Sequence, residues 1–227
     1  MIFNRSKIAF PDYQNKNGNL FRKTKQHDLE QWNTVKKHIK KFRVCLDIGA
    51  HVGTSAMRYS DYFENVFSFE PIPDLFECLE YNTQDLKNVE INNVAVGQKY
   101  EQVKIYVNTN NSAASVVESE NTSDLIATRW GNKKRKDFQE MPTIEAQCVP
   151  IDSFNFENVD FIKIDTEGYN IEPLKGMINT IKKWSPVIQL ERGTSEHSIN
   201  VANEFLFKHG YKIVDTVVID DIFVRQK

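Results

Sequence analysis

The sequence is short of the features that would place it in several large classes. Only three of its 227 residues are cysteines, Cys45, Cys78 and Cys148, an odd number without CxxC spacing. A disulfide framework or a thiolate zinc site needs more, so the expectation is reduced thiols among apolar neighbours. No apolar run approaches the roughly 18 residues of a membrane span. The opening Met-Ile-Phe-Asn-Arg-Ser lacks the apolar core of a signal peptide, and we expect a cytoplasmic protein. A formal net charge of -2 exerts no general pull on nucleic acid or an anionic membrane. The basic residues Lys133 to Lys136, and those around Lys36 to Arg43, read as solvated surface. No internal repeat is present, and the identity of a partner must come from local sites.

The length suits one α/β domain rather than two. Residues 1–27 read as an N-terminal arm, polar and irregular from Phe10 to Gln26, and residues 28–227 as the domain. Leu29, Trp32, Val35, Ile39 and Phe42 recur at helical spacing behind Asp28, a candidate N-cap. Four short apolar runs follow: Val44 to Leu46, Val66 to Phe69, Phe161 to Ile164 and Val187 to Leu190. Each ends on an acid: Asp47, Glu70, Asp165 and Glu191. Helical patterns lie between them, at Leu75, Phe76 and Leu79 and again at Ile171, Leu174, Met177 and Ile181. Alternation of this kind gives a doubly wound α/β fold with a mostly parallel sheet and helices on both faces. Ligands bind beyond the carboxyl ends of such strands, so the four acids should converge on one edge. A final helix through Ile199, Ala202, Phe205 and Leu206 stops at Gly210, and two strands turn near Asp220 and Asp221. Residues from about 103 to 150 break the alternation and read as a long excursion on the acceptor side, with strands at Val103 to Val107 and Ile144 to Val149.

Asp47-Ile48-Gly49-Ala50-His51-Val52-Gly53 sits between a strand and a helix starting at Thr54. Glycines there let the chain turn sharply and approach a ligand, while amides at the helix start face its polar groups. The pattern is Gly-x-x-x-Gly behind an acid, not the Gly-x-Gly-x-x-Gly of a dinucleotide site, and a carboxylate in the turn opposes a phosphate ligand. Glu70 lies about 20 residues on, at the end of the next strand, where an acid accepts hydrogen bonds from ribose hydroxyls. Together these residues point to a cationic nucleoside.

Several separated motifs resemble the FkbM-type methyltransferases of the class I S-adenosylmethionine-dependent fold. They are the turn just quoted, Phe69-Glu70-Pro71-Ile72-Pro73, Asn93-Val94-Ala95-Val96-Gly97, Val149-Pro150-Ile151-Asp152 and Phe161-Ile162-Lys163-Ile164-Asp165-Thr166-Glu167-Gly168. The last is the most family-specific. The resemblance implies a seven-stranded Rossmann-like sheet, S-adenosyl-L-methionine as cofactor, and O-methylation of a hydroxyl on a sugar or small metabolite. By position, Asp47, Gly49, His51 and Gly53 would line the methionine part, Glu70 the ribose, and Asn93, Val94 and Ala95 the adenine. Ala50, Thr54, Pro71 and Asp165 complete the cofactor set. His51 stands where the family often has Asn, and Tyr169-Asn170 replaces a small-acidic pair.

Methyl transfer to a hydroxyl needs in-line alignment and a group that removes the proton. Asp165, Glu167, Glu191 and His51 are the candidates for catalysis. Asp165 and Glu191 are also candidate ligands for a divalent metal such as magnesium. Tyr106, Trp130 and Phe138 offer faces for stacking on a sugar ring or an aromatic acceptor, with buried packing the commoner role of such aromatics. Two competing readings are an RNA or protein methyltransferase using the basic runs, and a non-catalytic binding subunit that keeps the turn as architecture. Oligomeric state is not written in the sequence.

Overall fold

β-branched and aromatic runs bounded by polar turns form the strands, and the helices lie between them. The computed structural model describes residues 1–14, 28–119, 141–192 and 196–226. In chain order the elements are β1 (Ile2–Phe3), β2 (Ala9–Phe10), α1 (Leu29–Val35), β3 (Val44–Ile48), α2 (Thr54–Tyr59), β4 (Asn65–Phe69), α3 (Pro73–Thr83) and β5 (Val89–Asn92). Then come β6 (Ala95–Val96), β7 (Glu101–Tyr106), β8 (Val116–Val117), β9 (Thr143–Val149), β10 (Val159–Ile164), α4 (Ile171–Gly176), α5 (Ile178–Trp184), β11 (Val187–Glu191), α6 (Glu196–Lys208), β12 (Tyr211–Val217) and β13 (Asp220–Arg225).

The main sheet has seven strands in the order β12-β13-β11-β10-β3-β4-β5. Its five strands from β11 to β5 are parallel, while β13 runs antiparallel to β11 and β12 antiparallel to β13. The sheet is therefore Rossmann-like and mostly parallel, as expected, with an antiparallel pair at one edge. The chain leaves β3 toward β5 and resumes at β10 on the other side, which makes the β3/β10 boundary the switch point where α/β sheets bind ligands.

Side chains alternate between the two faces of each strand. Leu46, Ile48, Ile162, Ile164, Ile188 and Leu190 pack with Leu174, Met177, Ile181, Ala202 and Leu206 on one face. On the other, Cys45, Phe161, Val187 and Ile222 meet Trp32, Val35, Tyr59 and Phe63. On this second face the strands turn polar toward their carboxyl ends. Ser68, Asp47, Lys163 and Gln189 lie side by side in register across β4, β3, β10 and β11, all buried.

Several local expectations give way to packing. Helix α1 ends at Val35, and the following turns tighten into three-residue steps from Lys37 N to Thr34 O and from His38 N to Val35 O. Asp28 does stand at the N-cap position, its carbonyl accepting from Trp32 N at 3.0 Å, but its backbone is left-handed and its side chain makes no cap hydrogen bond, and Leu29 is exposed. The Ile171 to Ile181 pattern divides into two helices at Met177. There Gly176 lies so close to the Gly97 carbonyl that a Cβ would stand 1.8 Å from its oxygen. The last hairpin turns at Val218 and Ile219, with Val217 opposite Asp220, so Asp220 and Asp221 open β13 and are buried. Val218 takes a left-handed φ of 55° there.

β6 to β9 form a separate four-stranded sheet, so much of the excursion is ordered structure. Trp130, Phe138 and Lys133 to Lys136 fall outside the described residues. β1 and β2 pair with each other, and Ala9 and Phe10 are fully buried against Val52, Leu75 and Cys78. All three cysteines are free and buried. Among the described residues no helix is long and apolar enough to cross a membrane.

Candidate functional site

The turn after β3 is held from both sides. The amides of Gly49 and Ala50 both donate to the Phe69 carbonyl at 3.0 Å, tying the turn to β4. Gly49 has φ 81°, and a Cβ on it would lie 2.0 Å from the Asp165 carbonyl oxygen. Gly53 has φ 87°, and a Cβ there would lie 2.7 Å from Leu79 Cδ1 on α3. The two glycines thus let the turn contact the end of β10 on one side and α3 on the other.

A cavity of about 250 Å³ opens over the carboxyl ends of β3, β10 and β11. Gly49, His51, Glu70, Pro71, Asp165, Glu167 and Glu191 line it, so the strand-end acids, Asp47 excepted, do converge there. Asp28, Trp32, Arg58, Gln189 and Asp220 also line it. A smaller hollow of about 30 Å³ adjoins it, walled by Ile48, Phe69, Pro71, Val94, Ala95 and Tyr169. Ala50, Gly53 and Thr54 are buried in the turn and helix start, outside the cavity wall. Asn93 is exposed, and its Nδ2 donates to the Glu70 carbonyl at 2.9 Å.

Glu70 is fixed by backbone. His51 N donates to Oε2 and Ile72 N to Oε1, each at 2.9 Å. Burial nonetheless pushes its carboxyl up to about 7, against the pull of those two amides. Each carboxylate oxygen keeps a second lone pair for a ligand hydroxyl.

Asp47 is wholly buried beneath the cavity, and neither of its oxygens has a hydrogen-bond partner. Burial raises its carboxyl to about 6 in spite of Lys163, whose Nζ is 3.9 Å from Oδ1. Lys163 itself reaches the cavity wall and donates to Asp165 Oδ2 at 2.8 Å. Burial favours its neutral amine, but the combined attraction of Asp165, Asp47 and its other neighbours wins and holds the ammonium well above the ordinary lysine range. Asp47 therefore meets the cavity through Lys163.

Carboxylate oxygens of Asp165, Glu167 and Glu191 come within 4.8 Å of one another. An all-oxygen set of this kind suits magnesium by donor type. The Lys163 ammonium already holds one Asp165 oxygen, so the charge a metal would neutralise is partly met. Glu167 has a left-handed φ of 53° just before Gly168 at 95°, a conformation costing about 1–3 kcal/mol that clusters at functional sites. Tyr169-Asn170 has a local use. Asn170 takes a hydrogen bond from Thr166 Oγ1 and donates to the Glu191 carbonyl, joining the ends of β10 and β11, while Tyr169 walls the small hollow.

His51, with φ 53°, pairs Nε2 with Ser112 Oγ at 2.8 Å, and Ser112 Oγ donates to Gln14 Oε1 at 2.7 Å. The glycine turn, the excursion and the N-terminal arm meet in this buried chain. Tyr106 spends its hydroxyl on Glu118 instead, at 2.6 Å.

Lys163, Arg58, Gln189, Asp220, Ser112 and Gln14 were not among the expected site residues. For Lys163 a signal existed: a lone cation inside the apolar run Phe161 to Ile164, on the same strand face as Asp165. The others become neighbours only through the tertiary fold.

Residues 47–213 match the family model described as the Methyltransferase FkbM domain. The chain is similar to the hexuronic acid methyltransferase AglP of Haloferax volcanii, 28% identical over 145 residues, 64% of this chain and 54% of that protein. Its fold is similar to the crystal structure of methyltransferase FkbM from Methylobacillus flagellatus, with a TM-score of 0.54 and 16% identity over 83% of this chain and 46% of that one. The chain spans about half the length of these relatives.

Proposed function

This chain belongs to the FkbM methyltransferase family, and from that premise we propose that it transfers a methyl group from S-adenosylmethionine to a hydroxyl oxygen of a sugar or small metabolite. The observation that carries the reading is the acid-lined cavity at the β3/β10 switch point, with Glu70 fixed in its wall and Asp165, Glu167 and Glu191 grouped there as well. Such a lining attracts a cation and repels a phosphate. Glu70 accepts the ribose hydroxyls, and the apolar side chains of Pro71, Val94 and Ala95, which wall the adjoining hollow, offer a surface on which the adenine can pack. The sugar class is supported by the likeness to a hexuronic acid methyltransferase.

Bound S-adenosylmethionine supplies an activated methyl on a sulfonium. The protein's part is to hold the acceptor oxygen in line with that methyl and to receive the hydroxyl proton. The grouped carboxylates of Asp165, Glu167 and Glu191, with His51 on the same cavity wall, supply the acceptor for that proton. Lys163 holds the central charge that would otherwise call for a metal ion.

The test is a methyl-transfer screen against neutral sugars, uronic acids and small hydroxyl compounds, with mass spectrometry of the products, run with and without a chelator. A product heavier by one methyl on oxygen, undiminished by chelation, is the expected result. Methylation on nitrogen or carbon alone would overturn the acceptor class, and turnover lost on chelation and restored by magnesium would assign Asp165, Glu167 and Glu191 to a metal.

A further inference from the structure

The cavity wall carries the carboxylates of Asp28, Glu70, Asp165, Glu167, Glu191 and Asp220 and, among the described residues, only two cations that are always charged near neutrality, Lys163 and Arg58. An acid-rich lining suits a sulfonium and an α-ammonium. It repels an α-carboxylate, and a ligand that ends in an amino acid brings one.

The geometry points to Lys163 and Asp165 as a matched ion pair that binds the zwitterionic amino-acid end of the cofactor, with the Lys163 ammonium on the α-carboxylate and the Asp165 carboxylate on the α-ammonium. This rests on the cofactor reading above and assigns one subsite within it. Lys163 Nζ and Asp165 Oδ2 are 2.8 Å apart at the cavity wall, so a positive and a negative group stand side by side. An α-amino acid presents the same two charges at similar spacing, and laid antiparallel the two pairs satisfy each other.

An ammonium has three donors. Asp165 takes one, and Asp47 at 3.9 Å is beyond hydrogen-bond reach, so donor capacity remains on the cavity side. Asp47 keeps the role of a buried counter-charge. It faces Lys163 from the neighbouring strand, with Lys163 opposite Asp47 in register, and holds the ammonium charged while remaining 0% exposed itself. Asp47 is thus a positioning residue acting through Lys163. Gly49 brings the turn against the Asp165 backbone and lets the ligand's amino-acid end reach the pair.

The test compares two ligands on two proteins by calorimetry. Decarboxylated S-adenosylmethionine keeps the ammonium and sulfonium and lacks the α-carboxylate. It carries one more net positive charge, so the acidic lining alone would favour it. The wild type is expected to prefer S-adenosylmethionine by at least about tenfold, the worth of one charge-assisted hydrogen bond. Lys163→Met should erase that preference, and Arg58→Met should keep it.

A Lys163→Met variant that weakens both ligands equally would reduce Lys163 to a structural part and overturn the assignment, as would loss of the preference in Arg58→Met alone. Should Lys163→Met fail to fold, the Asp47→Asn/Lys163→Met pair removes the stranded carboxylate and serves in its place. A wild type that binds neither ligand would overturn the cofactor reading itself.

Discussion

Gly49 and Gly210 have the same φ of 81°, yet their surroundings set them apart. At Gly49 an added Cβ meets the Asp165 carbonyl oxygen at 2.0 Å; at Gly210 its nearest neighbour is Arg225 Nε at 3.8 Å, ordinary contact. Left-handed backbone costs an alanine roughly 1–2 kcal/mol at either position. Overpacking adds about 1–3 kcal/mol at Gly49 alone, because the obstacle there is backbone. Urea unfolding of Gly49→Ala and Gly210→Ala should therefore differ by at least about 1 kcal/mol, with Gly49→Ala the less stable. Equal losses would mean that conformational strain, not the contact with β10, fixes the glycine. At this scale the sequence was partly legible. Acids at strand ends announced Glu70, Asp165 and Glu191, but Asp47 does not reach the cavity, and the lone cation Lys163 in its apolar run gave no sign of which acids it would face. A side chain's role depends on its register neighbour in another strand, and that is set by pairing rather than by local pattern.

The elements over the site are tied down by single side chains. Asn82 on α3 accepts from Ala9 N at 2.8 Å and donates to Ala9 O at 3.1 Å and to Val52 O at 2.7 Å. One amide thus fastens β2 and the glycine turn to the same helix. Asn82→Ala would leave the buried Ala9 amide without its partner, costing about 1–3 kcal/mol. The loss should concentrate in the arm, so hydrogen exchange at Ala9 and Phe10 should speed up well beyond that of β10 in the same variant. Uniform acceleration across both would show that Asn82 supports the whole fold instead. The long strands were readable because their apolar runs stand out. β1, β2, β6 and β8 are two residues each, too short for any periodicity, and only their partners make them strands. The break between α4 and α5 was equally hidden, since it answers to the Gly97 backbone about 80 residues away in the chain.

Across the whole molecule, buried acids in the cavity wall and directly beneath it are held by folding in a costly environment. Burial raises Asp47 and Asp220 to about 6 from 3.8 and Glu70 to about 7 from 4.5. A carboxyl raised on folding contributes stability that is complete below its unfolded value and lost as pH rises through its folded value. The ligand-free protein should therefore lose stability between about pH 4 and pH 7 on account of these groups. A cationic ligand with ribose hydroxyls reverses the preference, because it favours the ionised acids. Its binding then releases protons and tightens as pH rises through about 7. Saturating S-adenosylmethionine should accordingly raise Tm more at about pH 8 than at about pH 5.5. Glu70→Gln, which keeps the shape and removes the charge, should shrink that difference as well as weaken binding. A ligand-induced shift of the same size at both pH values would argue that these acids do not face the cofactor's charge. Persistence of the full pH difference in Glu70→Gln would move the linkage to Asp47 and Asp220.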